Sequence, residues 1–221
     1  MVGHVCIYEK KFAMQLINFG DSWAHGADAG RENCYSRLVA NDLGYDYVDF
    51  SVPSSSIPGL VLQFRKFLKT TYIPDQDYFA LFFITAKERQ LVFDKNDQAQ
   101  EIWPQSYEEY YKKWYNDSQG EFVANTTILS LQTMCYHYNI QHYFISGWQC
   151  LNLWPEVNRT HFYANGDRCI ANEFGGTGST PLQDLVNQQH KQYLIYKNWH
   201  PSIEGHRLIA DLIVHNLTPN Q

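Results

Sequence analysis

The most constraining feature of this 221-residue sequence is the uninterrupted apolar run YFALFFIT at residues 78–85. A strand with one face in water alternates apolar and polar side chains, whereas a strand covered on both faces does not. Strands of the second kind are typical of parallel sheets that lie between two layers of helices. The run therefore predicts a buried strand of a parallel sheet.

Strand and helix patterns alternate over most of the chain. Further strands are predicted at 15–19, 45–51 and 140–147, and another helix near 182–196. This alternation favours a three-layer α/β/α sandwich with a mostly parallel sheet. The other predicted helices carry apolar stripes at Tyr35, Leu38, Val39 and Leu43 with Gly44 as C-cap; at Leu60, Phe64, Phe67 and Leu68; at Tyr107, Tyr110, Tyr111 and Trp114 within 106–117; at Ile128, Leu131, Cys135 and Tyr138 within 121–138; and at Leu208, Ile209, Leu212, Ile213 and Leu217.

The length of the chain suits one domain rather than two. We expect a single domain over 14–221, preceded by an extension at 1–13 that is either an added edge strand or the product of an upstream start codon. Insertions are predicted near 91–105 and 148–180. The second has no clean period and contains the run GGTGST, which is typical of a lid or binding loop.

Composition and charge exclude several classes of protein. Hydrophobic residues make up 44% and charged residues 18%, which is the balance of a folded chain. A net charge of -6 without a Lys/Arg run argues against a nucleic-acid partner. No apolar stretch reaches the roughly 18 residues of a membrane span, and no secretory signal is recognisable. Scattered cysteines without a CxxC pair indicate reduced thiols, so a cytoplasmic location is expected, with virion association as the alternative. The Asn-, Tyr- and Ser-rich composition suits a viral or bacterial protein, and no cofactor or metal is expected.

Polar residues follow three of the predicted strands. Ser22 follows the first strand, Ser54 follows the second, and the segment from Thr85 to Arg89 follows the third. The carboxyl ends of parallel strands meet at one edge of the sheet, and ligands bind there in such domains. The loop that holds His200 enters the last predicted helix and can reach the same edge. These groups are therefore expected to converge.

Two short blocks carry a family resemblance. FGDSW after the first strand and HPSIEGHRLIADLI before the last helix resemble the first and last blocks of the SGNH/GDSL hydrolases, a family of esterases, acetylesterases and lipases. The order of elements resembles that family over most of residues 14–217, which implies its flavodoxin-like sandwich. The resemblance also implies Ser22 as nucleophile and His200 as general base in the cleavage of an ester, either a carbohydrate ester or another acylated small molecule. The pairing agrees with chemistry, because a serine hydroxyl needs an imidazole to take its proton.

The sequence departs from the family pattern at three places. Asn198 stands where the family usually has the Asp that orients the histidine; it is expected to accept from the imidazole N–H, unless another acid substitutes. Ser54 stands where the family has an oxyanion-hole Gly, and it keeps a backbone N–H. The loop ITAKERQ lacks the family's Asn, so Thr85 and Arg89 are the candidate replacements. Losing one such donor typically costs about 10² to 10³ in rate.

Each proposed site residue also has a structural interpretation. Ser22 is alternatively a turn serine or a helix N-cap, and His200 a histidine that bonds a loop carbonyl. Arg89 is expected either to bind a carboxylate-bearing substrate or to pair with a neighbouring acid such as Glu88.

The turn around Ser22 offers two more candidates for the binding site, Asp21 and Trp23. Asp21 is expected mainly to tie the turn to neighbouring backbone. Trp23 lines the mouth of the pocket, together with His25, or packs on the edge of the sheet.

Other polar groups in the sequence predict no separate site. Cys135, His137 and His142 lack a fourth ligand, so no metal is predicted there. The run FGGTGST lacks the Lys-Ser/Thr ending of a phosphate-binding loop. His206 is expected to pack or cap within the final helix.

Two functions remain open from the sequence. The first is an active serine esterase with a Ser–His dyad or a Ser–His–Asn triad. The second is a catalytically faded relative that binds a glycan or a protein partner in the same cleft. Covalent labelling of Ser22 by a fluorophosphonate separates the two.

Overall fold

The computed structural model describes residues 13–174 and 200–218. Its strands are β1 (Gln15–Phe19), β2 (Asp46–Asp49), β3 (Tyr78–Ile84), β4 (Gln90–Phe93), β5 (Ala99–Ile102) and β6 (Gln141–Ser146). Its α-helices are α1 (Tyr35–Leu43), α2 (Gly59–Thr70), α3 (Glu108–Lys113), α4 (Asp117–His137), α5 (Ile170–Glu173) and α6 (Ile203–Leu217). Short 3₁₀ turns lie at Arg31–Asn33, Arg159–His161 and Tyr163–Gly166.

The main sheet of the described residues has four parallel strands in the order β2-β1-β3-β6. All seven residues of β3 are buried, as the apolar run at this position predicts. β3 lies between β1 and β6, so both of its edges are also hydrogen-bonded. The prediction of a mostly parallel sheet is confirmed.

The sheet has a hydrophobic core on each face. Successive side chains of β1 point to opposite faces, and Leu16 belongs to one core while Ile17 belongs to the other. The first core contains buried residues of α1 and α6, and the second contains buried residues of α2 and α4. Two helical layers thus enclose the sheet, and the three-layer α/β/α prediction is confirmed.

A row of stacked phenylalanines crosses the second core. Phe19 stacks on Phe82, Phe82 on Phe144, and Phe144 on Phe162, each with ring centroids 4.9 Å apart. The first three rings come from β1, β3 and β6, so the row fixes the register of neighbouring strands in addition to the backbone hydrogen bonds. Phe19 is the last residue of β1.

Most predicted elements are confirmed, with shifted ends. α1 ends at Leu43, and Gly44 follows in the left-handed region with φ 70°, where its N–H bonds the last turn of the helix. The predicted second strand is shorter, at Asp46–Asp49. The aromatic stripe at 106–117 gives only the six-residue α3, which has no buried residue, and Trp114 is 70% exposed.

The region predicted as an insertion near 91–105 contains a β-hairpin. β4 and β5 pair antiparallel, with Gln90 opposite Ile102 and Phe93 opposite Ala99. The Asp94 carboxylate accepts hydrogen bonds from the backbone N–H groups of Asn96 and Gln98, which closes the turn. These bonds lower the pKa of Asp94.

Several predicted features lie outside the described residues. They are most of the extension at 1–13, the run GGTGST, the helix near 182–196 and Asn198. Of the 148–180 insertion, the structure describes residues up to 174, which contain two 3₁₀ turns and the one-turn helix α5. In the described part of the chain, no helix combines the length and the apolar character that crossing a bilayer requires.

Candidate active site

The candidate site begins at Gly20, the residue that follows the end of β1. A Cβ atom at Gly20 would lie 2.4 Å from Cβ of Ala24 and 2.8 Å from Cβ of Phe83, closer than real Cβ contacts allow. The chain then turns tightly, with the N–H of His25 bonded to the carbonyl of Asp21 at 2.9 Å. The N–H of Ala27 bonds the carbonyl of Ser22 at 3.0 Å. The glycine lets the backbone pass close to β3, and the turn holds Ser22 at the edge of the sheet.

Asp21 anchors this turn through a buried carboxylate. Its side chain is 0% exposed and accepts from the Trp23 N–H at 2.9 Å, the Thr85 hydroxyl at 2.7 Å and the Arg89 guanidinium at 2.9 Å. A buried carboxylate needs such donors and an opposite charge to offset the loss of hydration. Asp21 therefore joins the turn after β1 to the loop after β3, which agrees with the tying role predicted for it.

His200 contacts the same turn through Asp28. Its Nδ1 is hydrogen-bonded to Oδ2 of Asp28, 172 positions away in sequence. The His200 side chain is 24% exposed and that of Asp28 is 39% exposed, so both lie at the surface of the site. No hydrogen bond joins Ser22 and His200 within the described ranges, and Ser22 itself is 8% exposed. The turn of residues 21–28 therefore carries Ser22 and also holds His200.

The start of α6 determines where His200 lies. Ser202 caps the helix, because its hydroxyl accepts from the N–H of Gly205 at 3.0 Å. Ile209 and Ile213 of α6 are fully buried in the core that also contains Val39 of α1. Docking of α6 on α1 therefore brings His200 to the turn.

His206, one turn further along α6, is a packing residue. It is fully buried, its Nδ1 accepts from the backbone N–H of Tyr35 at 3.3 Å, and its ring stacks on Tyr35. Burial, and to a lesser extent the nearby His200, lower the pKa of His206 to about 4. His206 is therefore neutral at physiological pH, as suits a structural group.

A cavity of about 590 Å³ is linked to the turn through Arg89, which lines the cavity and pairs with Asp21, whereas Ser22 and His200 are not in its lining. It lies between the loop after β2 and the loop after β3, and its lining includes Ser54, Glu88, Arg89, Trp103 and Gln105. Ser54 has φ 66°, a backbone conformation that favours glycine. The cavity therefore combines charged, amide and aromatic groups.

The two candidate replacements for the missing Asn both contact Asp21. Thr85 is 3% exposed and its hydroxyl donates to Asp21. Arg89 pairs with Asp21 and not with Glu88, whose carboxylate instead accepts from Gln149 at 3.2 Å. The Arg89 guanidinium has five N–H groups, and Arg89 also lines the cavity, so the pairing with Asp21 leaves it able to meet a ligand.

Trp23 is a core residue and not part of the cavity lining. It is 0% exposed, and its ring lies 4.5 Å from that of Trp148 and 5.7 Å from that of Phe83. The predicted role at the pocket mouth is therefore replaced by packing on the sheet edge. His25 accepts from Arg31 at 3.0 Å through Nε2 and contacts Ser51 through Nδ1.

The Cys135, His137 and His142 group has structural roles. Cys135 is buried, which raises the pKa of its thiol. His142 is buried against the carbonyl of Ile140, and its pKa is lowered to about 4 by desolvation. Among residues 13–174 and 200–218, no three His, Cys, Asp or Glu side chains are grouped to hold a metal ion.

The sequence patterns predict Ser22 and His200 as site residues, but they do not single out Asp28. The signal that was present is local: Asp28 lies in GADAG, between two glycines that both adopt positive φ in the structure. Nothing in the sequence indicates that this carboxylate meets a histidine 172 positions later. Asn198, the predicted orienting residue, is outside the described residues.

No protein family model matches the chain, and no curated protein matches it either. Several solved structures, in contrast, are similar to it. A lipolytic protein of the G-D-S-L family from Desulfitobacterium hafniense DCB-2 is similar with a TM-score of 0.55 and 11% identity, over 91% of this chain and 98% of that one. A family two carbohydrate esterase from Clostridium thermocellum is similar with a TM-score of 0.50 and 13% identity, over 96% of this chain and 65% of that one. At these identities the likeness shows the fold, which is that of the SGNH/GDSL proteins, in a divergent sequence.

Proposed function

We propose that this protein is a serine hydrolase that cleaves an acyl or acetyl ester, with Ser22 as nucleophile and His200 as general base. The observation that carries the proposal is the contact between His200 and the turn that bears Ser22, made through Asp28. Two groups from distant parts of the sequence meet at the carboxyl edge of a parallel sheet, where enzymes of this architecture place their sites. The fold shared with lipolytic and esterase structures supports it.

The reaction follows from the chemistry of these two side chains. The Ser22 hydroxyl attacks the ester carbonyl while an imidazole nitrogen of His200 takes its proton, and a tetrahedral intermediate forms. The bond to the alcohol oxygen then breaks, and the alcohol leaves with that proton. Water then attacks the carbonyl of the acyl-enzyme by the same two steps, which releases the acid and restores Ser22.

The negative charge on the intermediate needs donors, because the loop after β3 lacks an Asn. We assign this role to the backbone N–H groups of Ser22 and Ser54, assisted by Arg89. Arg89 is fixed by Asp21, the residue before the nucleophile, so its charge lies near the turn. A cation so held compensates in part for the missing amide.

The cavity beside Ser54 is the proposed substrate site. Its volume of about 590 Å³ is in the range of small-molecule pockets. Trp103 offers an aromatic face, and Glu88 and Gln105 offer hydrogen-bonding groups, which together suit a carbohydrate ester. A carbohydrate esterase is among the proteins with this fold, which supports the same substrate class.

Covalent labelling tests the proposal. A fluorophosphonate should label the wild-type chain at Ser22, and Ser22→Ala should abolish both labelling and hydrolysis of a short acyl ester. Ser130→Ala, which removes an exposed hydroxyl on α4, is the matched control and should label as the wild type does. Binding of a glycan that is unaffected by Ser22→Ala, without labelling, would instead identify a catalytically inactive binding protein.

A further inference from the structure

We propose that Asp28 is the carboxylate that positions His200, in place of a residue just before the histidine. The inference rests on the proposed function, in which His200 is the general base. It assigns both the nucleophile and the orienting acid to one turn, residues 21–28.

The contact has the chemistry that this role requires. Asp28 Oδ2 is bonded to Nδ1 of His200, so a proton held on Nδ1 leaves Nε2 as the basic nitrogen. A carboxylate there also stabilises the imidazolium that forms when the base takes a proton. An amide oxygen does this less well because it carries no charge.

The backbone keeps Asp28 in place. Asp28 has φ 67°, and Gly26 and Gly30 on either side have φ 72° and 87°. A Cβ at Gly26 would lie 2.9 Å from Cβ of Cys34, so this turn is closely packed. The carbonyl of Ser22 accepts from the N–H of Ala27, which couples the nucleophile directly to the residue before Asp28. Ser22 and Asp28 therefore belong to one hydrogen-bonded turn.

Other charged groups near His200 do not supply the same interaction. His206 is the titratable neighbour from α6, and it is neutral because burial lowers its pKa to about 4. His25, on the same turn as Asp28, is engaged by Arg31, Ser51 and Asp49. Within the described residues, Asp28 is the carboxylate that His200 contacts.

Asp28→Asn is the informative variant. Asn tolerates positive φ about as well as Asp does, so the substitution keeps the backbone and removes the charge. Asp75→Asn is the matched control: Asp75 also has a positive φ, of 71°, but it is exposed and precedes β3, at the opposite edge of the sheet. Asp28→Glu serves as the conservative variant, because it keeps the carboxylate.

We expect Asp28→Asn to slow fluorophosphonate labelling of Ser22 by about 10²-fold, the low end of what a positioned base contributes, since the pair is partly exposed. Asp75→Asn should leave the labelling rate unchanged, and Asp28→Glu should recover part of the rate that Asp28→Asn loses. Proton NMR should show a downfield Nδ1–H resonance of His200 in the wild type that Asp28→Asn removes.

The outcomes separate the two proposals. An Asp28→Asn variant that is labelled as fast as the wild type overturns the role of Asp28. Slower labelling of Asn198→Ala in the same experiment would transfer that role to Asn198. Absence of labelling in the wild type contradicts the proposed function instead. The Nδ1–H resonance then decides by itself whether Asp28 holds His200.

Discussion

At the scale of single residues, Asp21 shows how one buried carboxylate organises the site. Three donors converge on it from the turn after β1 and the loop after β3. Neither loop has regular secondary structure, so their relative position depends on this network. Asp21 thus acts on the site through the residues that it holds.

Replacement of Asp21 should therefore be costly. Asp21→Asn leaves Arg89 without its partner in a site where its side chain is only 23% exposed. We expect a loss of about 2 to 3 kcal/mol in the free energy of unfolding, reduced from the cost of a fully buried pair by the solvent that Arg89 retains. Urea denaturation with an unchanged m-value measures it.

The control for this prediction is another Asp–Arg pair. Asp167 pairs with Arg159 at 3.2 Å, but the two side chains are 73% and 43% exposed. Asp167→Asn should cost less than about 1 kcal/mol. Equal losses in the two variants would contradict burial as the reason.

The residues of the site differ in how far the sequence predicts them. Ser22 and His200 lie in short sequence motifs that resemble those of a known family. Asp21 was predicted to bind the turn to the neighbouring backbone. Trp23 was ambiguous, because an indole after a strand suits a pocket mouth and a core equally well. The partner acid of Arg89 and the role of Asp28 depend on contacts between distant segments, which no local pattern encodes.

At the scale of elements, the buried strands were predictable from their apolar runs, whereas the exposed hairpin was not. β1, β3 and β6 are apolar and mostly buried, and each was predicted within one residue of its observed ends. β4 and β5 are short and largely exposed, and AQEI carries no strand pattern. The hairpin is maintained by its contacts with the rest of the protein.

One such contact is made by Glu101 of β5. Its carboxylate accepts from the hydroxyl of Ser55 at 3.1 Å and the N–H of Ser56 at 3.0 Å, next to the cavity residue Ser54. Burial raises the pKa of Glu101 despite these bonds. The hairpin thereby holds the loop that is proposed to supply an oxyanion donor.

Glu101→Ala should loosen that loop. The N–H of Ser56 and the hydroxyl of Ser55 lose their acceptor, at a cost of about 1 to 3 kcal/mol. Hydrogen exchange should show faster exchange of the Ser56 amide, together with slower ester hydrolysis. Gln100→Ala, at the exposed neighbouring position, is the control and should leave the exchange of Ser56 unchanged.

At the scale of the whole molecule, the fold depends on the pattern of apolar residues more than on the residues of the family motifs. No family model matches the sequence, yet its structure shares the SGNH/GDSL fold at 11% identity. Continuous apolar strands alternating with amphipathic helices were enough to predict the sandwich. The positions of the two cavity loops were not predictable, because they depend on individual polar contacts.

The stability of the whole molecule should depend on pH through two buried histidines. The pKa values of His142 and His206 are lowered from 6.5 to about 4 in the folded protein. Between these values the unfolded chain binds protons that the folded chain does not, so stability is full above pH 6.5 and falls as the pH drops toward 4. Each histidine contributes up to about 3 kcal/mol to this loss.

Urea denaturation at a series of pH values measures the effect. His206→Asn should reduce the slope by about 1.4 kcal/mol per pH unit in this window, because one titrating group is removed. A stability that stays constant from pH 6.5 to 4 would show that the two rings are accessible to protons in the folded state.

The docking of α6 on α1 has a consequence for partly folded chains. The hydroxyl and carboxylate of the turn are both supplied by the first loop of the sheet, but the imidazole arrives only with α6. In the proposed mechanism, an intermediate in which this helix is detached would therefore lack the imidazole that accepts the proton of Ser22. Ester cleavage would thus report the docking of α6 against the rest of the domain. A separately added peptide spanning α6 is a natural candidate for complementing a chain that lacks this helix.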